Sequence, residues 1–484
     1  MGHRPFRPVA WIIAAAACTC LLAASSRGGS AAPDLRDEAA QALRRAASYY
    51  HGKVARHGGY VYHISLDLRD RWGEGEVGPD TIVVQPPGTP SVGMAFLDAF
   101  RATGDAFYLQ AAREAAEALV YGQLESGGWT QVIHFAPAPR MGKYRRGKGG
   151  DWNASSLDDD QTQAALRFLM NIDRALDFKH AEIHDTVTTG LDALLRAQFP
   201  SGGFPQVWTG PSRKLPVVKA SYPDHDWKTE GKIKAYWNQP TLNDGLPGTV
   251  ASTLILAHEV YGDPRYRTAL ERLGDFLILA QMPMPQPAWC QQYSDTMVPI
   301  WARKFEPPAV SGWESQDAIQ ALIAIARHTH QAKYLDPIPS AIAYLRRSLL
   351  PDGRLARFYE LKTNRPLYMD RTYQLTYDDG DVPTHYGWKQ PARLDSLERA
   401  AREARSHLGD PPARPATRPA RDQEREVKRV VAALDDQGRW ITTLTKSTAL
   451  AGQPRLGPGT QVLASADFCR NMKILSDYLA SARP

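Results

Sequence analysis

Residues 191–206, LDALLRAQFPSGGFPQ, run a helix-like apolar pattern into a Gly202-Gly203-Phe204 turn. Residues 116–131, AEALVYGQLESGGWTQ, repeat that order with Gly127-Gly128-Trp129. Related turns stand at Gly58-Gly59-Tyr60, Asp352-Gly353-Arg354 and Gln437-Gly438-Arg439-Trp440, and Trp289-Cys290-Gln291-Gln292 fills the equivalent place between the third and fourth. The helices before these turns, as in Ala116–Gln123, Leu191–Gln198 and Leu273–Gln281, resemble one another, and helix starts such as Thr103-Gly104-Asp105 and Tyr261-Gly262-Asp263 recur upstream. A fixed-order recurrence on this scale describes stacked supersecondary units, none of which buries its apolar face alone.

Two interleaved sets of helices follow. One spans roughly 37–50, 106–122, 180–198, 264–281, 333–349 and 421–435. The other spans roughly 89–102, 157–176, 247–261, 314–330, 390–405 and 466–481. In 157–176 the apolar residues Leu157, Ala164, Ala165, Phe168, Leu169 and Ile172 keep helical spacing, and strand-like alternation is scarce along the chain. The pattern predicts an all-α fold, an (α/α)6 toroid of helical hairpins with the second set lining its interior. An ungrouped bundle with a separate C-terminal extension is the competing arrangement. In the toroid, segments 60–88, 129–156, 204–246, 291–313, 354–389 and 440–465 all lie on one rim. They are far longer than the two to six residues an ordinary connection needs, and long loops on a rigid scaffold are where sites are built.

Composition narrows the function. The 484 residues carry 58 Lys and Arg against 52 Asp and Glu, a formal charge of +6. Three of those cations, Arg4, Arg7 and Arg27, sit in an acid-free leader. A Pro-rich stretch from Arg393 to Arg429 holds ten bases against seven acids. The remainder is near neutral, so charge gives nucleic-acid binding no support. Residues 1–32 read as a signal peptide, with a basic start, an apolar run from Val9 to Ala24 and small residues after it. Cys18 and Cys20 leave with the leader. Cys290 and Cys469 remain, either as a disulfide or as two buried thiols. Residues 33–484 are expected to form a single toroidal catalytic domain, with 407–420 as a Pro-rich surface loop.

Three rim segments carry candidate chemistry. Ser156-Leu157-Asp158-Asp159-Asp160 opens an inner helix. One acid there would cap the helix, but three concentrate the hard oxygens that calcium or magnesium prefers. Asn243-Asp244 precedes the next inner helix, with Tyr236, Trp237 and Asn238 upstream. Carboxylates on neighbouring walls serve either glycoside hydrolysis or a divalent cation. Pro299-Ile300-Trp301-Ala302-Arg303-Lys304-Phe305-Glu306 places two cations between aromatics, and Arg357, Arg365 and Arg371 follow on the next loop. Guanidinium groups recognise carboxylates bidentately. An acid-and-arginine rim suits a carboxylated sugar chain, whereas a neutral-sugar hydrolase needs few arginines.

Taken in order, these segments resemble the family-10 polysaccharide lyases, the pectate lyases. The resemblance runs through Gly127-Gly128-Trp129, Ser156-Leu157-Asp158, Gly202-Gly203-Phe204-Pro205-Gln206 and Thr241-Leu242-Asn243-Asp244. It continues with Trp289-Cys290-Gln291-Gln292, Ala302-Arg303-Lys304-Phe305-Glu306 and Ser311-Gly312-Trp313-Glu314-Ser315. Arg357-Phe358-Tyr359-Glu360, Thr363-Asn364-Arg365-Pro366 and Tyr386-Gly387-Trp388 complete it, so that it covers about residues 100–390. It implies calcium-dependent cleavage of polygalacturonate or a related polyuronate by β-elimination, and the leader implies a secreted or periplasmic protein. Asp158 and Asp244, with Asp159 beside them, would hold Ca2+, and Arg303 would abstract the proton. Lys304, Arg357, Arg365, Arg371, Asn243, Trp237 and Tyr236 are the expected substrate contacts. The family usually has Asn-Gly after the first aspartate and a second acid after Asn-Asp, where this chain has Asp159-Asp160 and Gly245. The expected partner is an acidic polysaccharide met by a monomer, without nucleic acid or, once the leader is removed, membrane. A toroidal glycoside hydrolase and an inactive glycan-binding homologue are the alternatives.

Overall fold

A computed structural model describes residues 34–231, 233–410, 420–445 and 456–481. The leader 1–32 and residues 411–419 of the Pro-rich stretch lie outside them. Among the described residues twelve α-helices follow one another: α1 Leu35–Tyr49, α2 Thr89–Thr103, α3 Ala106–Tyr121, α4 Gln161–Ala175, α5 Ala181–Ala197 and α6 Leu246–Tyr261. The second half contributes α7 Pro264–Ala280, α8 Gly312–Thr329, α9 Ile338–Arg347, α10 Leu394–Ser406, α11 Ala420–Ala432 and α12 Ser465–Ser481. The even-numbered helices pack side by side in the order α2, α4, α6, α8, α10, and α12 returns against α2. The odd-numbered helices lie outside them, α3 on α2, α5 on α4, α7 on α6, α9 on α10, with α1 and α11 both on α12. This is the α/α toroid that the helix pattern predicts.

Local chemistry explains the short rim. Gly104 and Gly262 take left-handed φ of 77° and 67° and end α2 and α6. The next residues, Asp105 and Asp263, cap α3 and α7 by accepting from the Phe107 and Arg265 amides at 2.9 and 2.8 Å. The repeated turns of the other rim are equally regular. Trp129, Trp289 and Trp440 each donate an indole N–H to a helix carbonyl upstream, of Leu119, Leu277 and Val430, at 2.9, 2.7 and 3.0 Å. Gln123 and Gln198 each donate to the carbonyl four residues on, in Gly127 and Gly202, at 2.8 and 2.9 Å. Gly202 itself has φ 95°, and a Cβ there would lie 1.9 Å from the Arg272 carbonyl oxygen, so the turn admits only glycine.

The long rim is more structured than the sequence pattern predicts. Its segments condense into short antiparallel strands of two to four residues. One four-stranded sheet joins 441–443, 461–464, 63–65 and 71–72, and another joins 375–376, 366–369, 358–360 and 309–311. These loops are too long to satisfy their backbone amides by turns alone, and pairing with neighbouring loops supplies the partners. The first sheet also ties the ends of the ring, with His63 opposite Ala464. Beneath it Tyr50 stacks on Phe468 at 3.9 Å between centroids, and its hydroxyl shares a 2.8 Å hydrogen bond with Ser465. Cys290 and Cys469 are separate free thiols. Among the described residues no helix is long and apolar enough to cross a membrane.

Candidate carboxylate and arginine site

Two loops of the long rim share one design. Ser156–Asp160 leads into α4, and Thr241–Gly245 leads into α6. In each, an amide reaches back to a hydroxyl two residues earlier, Asp158 to Ser156 Oγ and Asn243 to Thr241 Oγ1, both at 3.1 Å. The preceding leucine amides, of Leu157 and Leu242, donate to the carbonyls of Gln206 and Gln291 at 2.8 and 2.9 Å. Two left-handed residues then turn the chain into the helix: Asp159 and Asp160 with φ 43° and 64°, and Asp244 and Gly245 with φ 52° and 68°. Asp and Asn tolerate this conformation better than other side chains because they hydrogen-bond locally. Since α4 and α6 pack together, the two turns meet. One oxygen from each of Asp158, Asp159 and Asp244 falls within 4.8 Å of the others. Asp160 turns away and pairs with Arg167 at 2.5 Å.

Gathered in this way, the carboxyls resist ionisation. Burial raises Asp158, although Gln206 donates to its Oδ1 at 2.7 Å and it is hydrogen-bonded to Asp244. Asp159 is pushed up to about 6, first by burial and then by the charges of Asp244 and Glu74, while Gln85 donates to it at 3.2 Å. Asp244 is pushed up to about 7 by burial and by Asp158. The amide of Asn243 donates to Asp244 at 2.5 Å, which leaves its own buried Oδ1 without a partner. The three converging carboxyls form a hard, oxygen-only donor set, which fits a cation such as calcium.

Across from them stands Arg303, its Nη2 3.9 Å from Asp244 Oδ2. Glu306 holds it from three sides, accepting from the Arg303 amide, Nε and Nη2 at 2.9, 2.8 and 2.7 Å. Burial alone would lower the guanidinium pKa, but Glu306 reverses the sign and raises it. The same pairing keeps buried Glu306 below its ordinary range. Behind it, the Tyr386 hydroxyl donates to Glu306 at 3.1 Å, and the Arg357 guanidinium lies 4.9 Å from the Tyr386 ring centre. Arg357 is itself buried and donates to the buried carboxylate of Glu314 at 2.6 Å. The result is an alternating chain of charges, Asp244, Arg303, Glu306, Arg357 and Glu314, with the neutral Tyr386 hydroxyl and ring between Glu306 and Arg357.

The predicted residues thus divide. Asp158, Asp159, Asp244, Asn243 and Arg303 converge. Tyr236 is close enough that Arg303 draws its hydroxyl pKa down against the larger effect of burial. Arg357 sits behind the site, sealed by Glu314. Lys304 extends over the Tyr373 ring at 3.6 Å, exposed Arg365 stacks on Tyr377 at 3.4 Å, and Arg371 pairs with Asp381 at 2.9 Å in solvent. Trp237, beside Tyr236, opens into a separate cavity of about 900 Å³ whose walls include none of the three carboxyls. Sequence reasoning assigned no role to Gln85, Gln206, Glu306 or Tyr386. Only Glu306 carried a local signal, its three-residue spacing from Arg303.

No curated protein matches this chain. Among solved structures, a mutant of the family 10 polysaccharide lyase from Cellvibrio cellulosa in complex with trigalacturonic acid is similar, at 20% identity and a TM-score of 0.45, over 65% of this chain and 98% of that one. The cellobiose 2-epimerase from Spirochaeta thermophila is 16% identical with a TM-score of 0.45, over 92% and 96% of the two chains. A D-mannose isomerase is 14% identical with a TM-score of 0.44, over 93% and 99%. The pectic acid lyase family matches residues 139–355, a span that contains the carboxylate loops and Arg303. Over that span the chain is similar to the pectic acid lyase family.

Proposed function

We propose that this chain is a secreted lyase that cleaves polygalacturonate or a closely related polyuronate by β-elimination. The observation that carries the reading is Arg303, 3.9 Å from Asp244 on the margin of the three-carboxylate cluster. Asp158, Asp159 and Asp244 would hold calcium, and a calcium ion bound there neutralises the uronate carboxylate and acidifies the proton on the adjacent carbon. Arg303 removes that proton. The electron pair left on C5 forms the C4–C5 double bond, the C4–O bond breaks, and the departing oxygen takes a proton from solvent. Glu306 fixes the guanidinium plane, so that the reacting nitrogen is aimed rather than mobile. Because the same pairing raises its pKa, Arg303 becomes an effective base only at alkaline pH.

Glycoside hydrolysis is the less suitable chemistry for these groups. Its paired carboxyls stand about 5–9.5 Å apart, whereas Asp158 and Asp244 are in hydrogen-bonding contact. The deciding experiment is incubation with polygalacturonate, with and without calcium, followed in the ultraviolet. Absorbance from an unsaturated product that requires calcium is the expected result. New reducing ends without such absorbance would mean hydrolysis, and binding without either product would mean an inactive homologue.

A further inference from the structure

We propose that the cavity beside the carboxylate cluster is a second sugar-binding subsite, which takes a pyranose lacking a free carboxylate. The proposal rests on the polyuronate reading, because it concerns a neighbouring unit of the same chain. The cavity, about 900 Å³, has the size of a small-molecule site and is lined by three indoles, Trp152, Trp208 and Trp237. Trp152 and Trp237 are 40% and 41% exposed, an unfavourable state for so much apolar surface unless something covers it. Trp208 is buried and locked by a 3.0 Å hydrogen bond from its indole N–H to the Ser126 carbonyl. Flat, partly fixed rings with one wet face suit the C–H face of a pyranose, whose hydroxyls stay at the polar edge.

Position links this cavity to the chemistry. Trp208 and Val207 pair with Ser155 and Ser156, the strand that leads directly to Asp158. Gln206, one residue before Val207, is the donor to Asp158. Trp237 follows Tyr236, which feels the charges of Arg303, Asp158 and Asp244. A glycan held at the carboxylates therefore has this cavity as its next surface.

Charge selects the occupant. Arg213 is neutralised by Asp295, donating to both its oxygens at 2.8 and 3.0 Å and also to the Asn238 carbonyl, while its Nε is buried and closed to a ligand. Arg140, 5.6 Å from the Trp152 ring centre, and Asp151 both line the cavity, one charge of each sign. A free uronate gains no net attraction here and would lose hydration. An esterified uronate or a neutral hexose loses nothing and gains the stacking.

The test is a tryptophan-fluorescence titration of the full chain, with chelator present to stop turnover. The probes are a methyl-esterified oligogalacturonate, its de-esterified counterpart of equal length, and a neutral galactan fragment. We expect the esterified or neutral chain to bind about tenfold more tightly than the de-esterified one. Comparing the first and third probes tells which source of uncharged pyranose the cavity takes. Trp152→Ala should erase the preference, Trp152→Phe should restore most of it, and Phe178→Ala, an exposed ring on the opposite rim, should leave it intact. Equal affinities in the wild type, or a preference unchanged in a folded Trp152→Ala, would overturn the subsite. Unsaturated product formation with calcium restored reads the lyase reaction separately, so a Trp152-dependent preference supports the subsite even if that reaction fails.

Discussion

Asp159 and Asp244 hold the same position in two consecutive units of the ring, each the first of two left-handed residues before an inner helix. Asp158 correspondingly stands where Asn243 stands. A loop used twice thus presents three carboxyls and one amide to a single point. Neither loop could do this alone, because a single turn aims its side chains to one side.

The first prediction concerns pH and calcium. Asp159 and Asp244 have folded pKa values of about 6 and 7, above the ordinary 3.8. The folded state therefore binds these protons more tightly than the unfolded chain does. The stability this contributes is complete below about pH 4 and is lost as pH rises through 6 to 7. Without metal, this cluster should lower the melting temperature between pH 5 and 8, and Asp159→Asn with Asp244→Asn should flatten that fall. Calcium should raise the melting temperature by about 2–5 °C, more at pH 8 than at pH 5, because protons and cation compete for the same oxygens. A calcium shift independent of pH would remove the cluster as its site.

Arg303 and Glu306 give the second. Arg303→Ala should lower kcat by about a thousandfold or more, with the fold intact by circular dichroism. Glu306→Gln is more diagnostic. Loss of the carboxylate lets the Arg303 pKa fall, so the alkaline rise of the rate should move toward neutral pH while the maximal rate drops through lost orientation. Rate profiles of both proteins across pH 7 to 11 would check this, and an unmoved rise would show that Arg303 is not the titrating group.

Arg357 gives the third. Its guanidinium is sealed against Glu314, whose carboxyl is pushed up to about 7 by burial even with Arg357 beside it. Arg357→Ala should cost about 3–5 kcal/mol in urea unfolding, because it strands a buried carboxyl. Arg365→Ala and Arg371→Ala, at exposed positions, should stay within about 0.5 kcal/mol. If Arg357→Ala instead leaves stability unchanged and weakens substrate binding, its place is at the substrate.

The repeated turn gives the fourth. Gly202→Ala meets both a left-handed φ and the Arg272 carbonyl, and should destabilise by about 2 kcal/mol or more. Trp129→Ala removes a fully buried indole and its hydrogen bond, at about 3–5 kcal/mol. Chemical denaturation with an unchanged m-value is the measurement.

The toroid was legible because its signals are local and repeated. Helical spacing, Gly-Asp helix junctions and Gly-Gly-aromatic turns each act within a few residues. Asp158, Asp159 and Asp244 were legible for a related reason, since each stands at the start of an inner helix, whereas Arg303 stood out through the aromatics around it and the family resemblance. The destinations of the remaining cations were not. Whether Lys304 reaches a sugar or the ring of Tyr373, and whether Arg357 faces solvent or Glu314, depends on partners 69 and 43 residues away. No spacing rule carries that information. Trp152 and Trp208 escaped notice because an isolated tryptophan is usually core, and only the pairing of two rim segments sets them around one space.

The contact of α1 with α12 has a consequence for biosynthesis. α1 and α12, and the strands 63–65 and 461–464 that latch them, are separated by about 400 residues of sequence. A nascent chain can stack its consecutive hairpins as they emerge, yet it exposes the apolar flank of α2 until α12 has been made and can pack there. Closure therefore waits for α12, and the unlatched arc is the species that chaperones would meet.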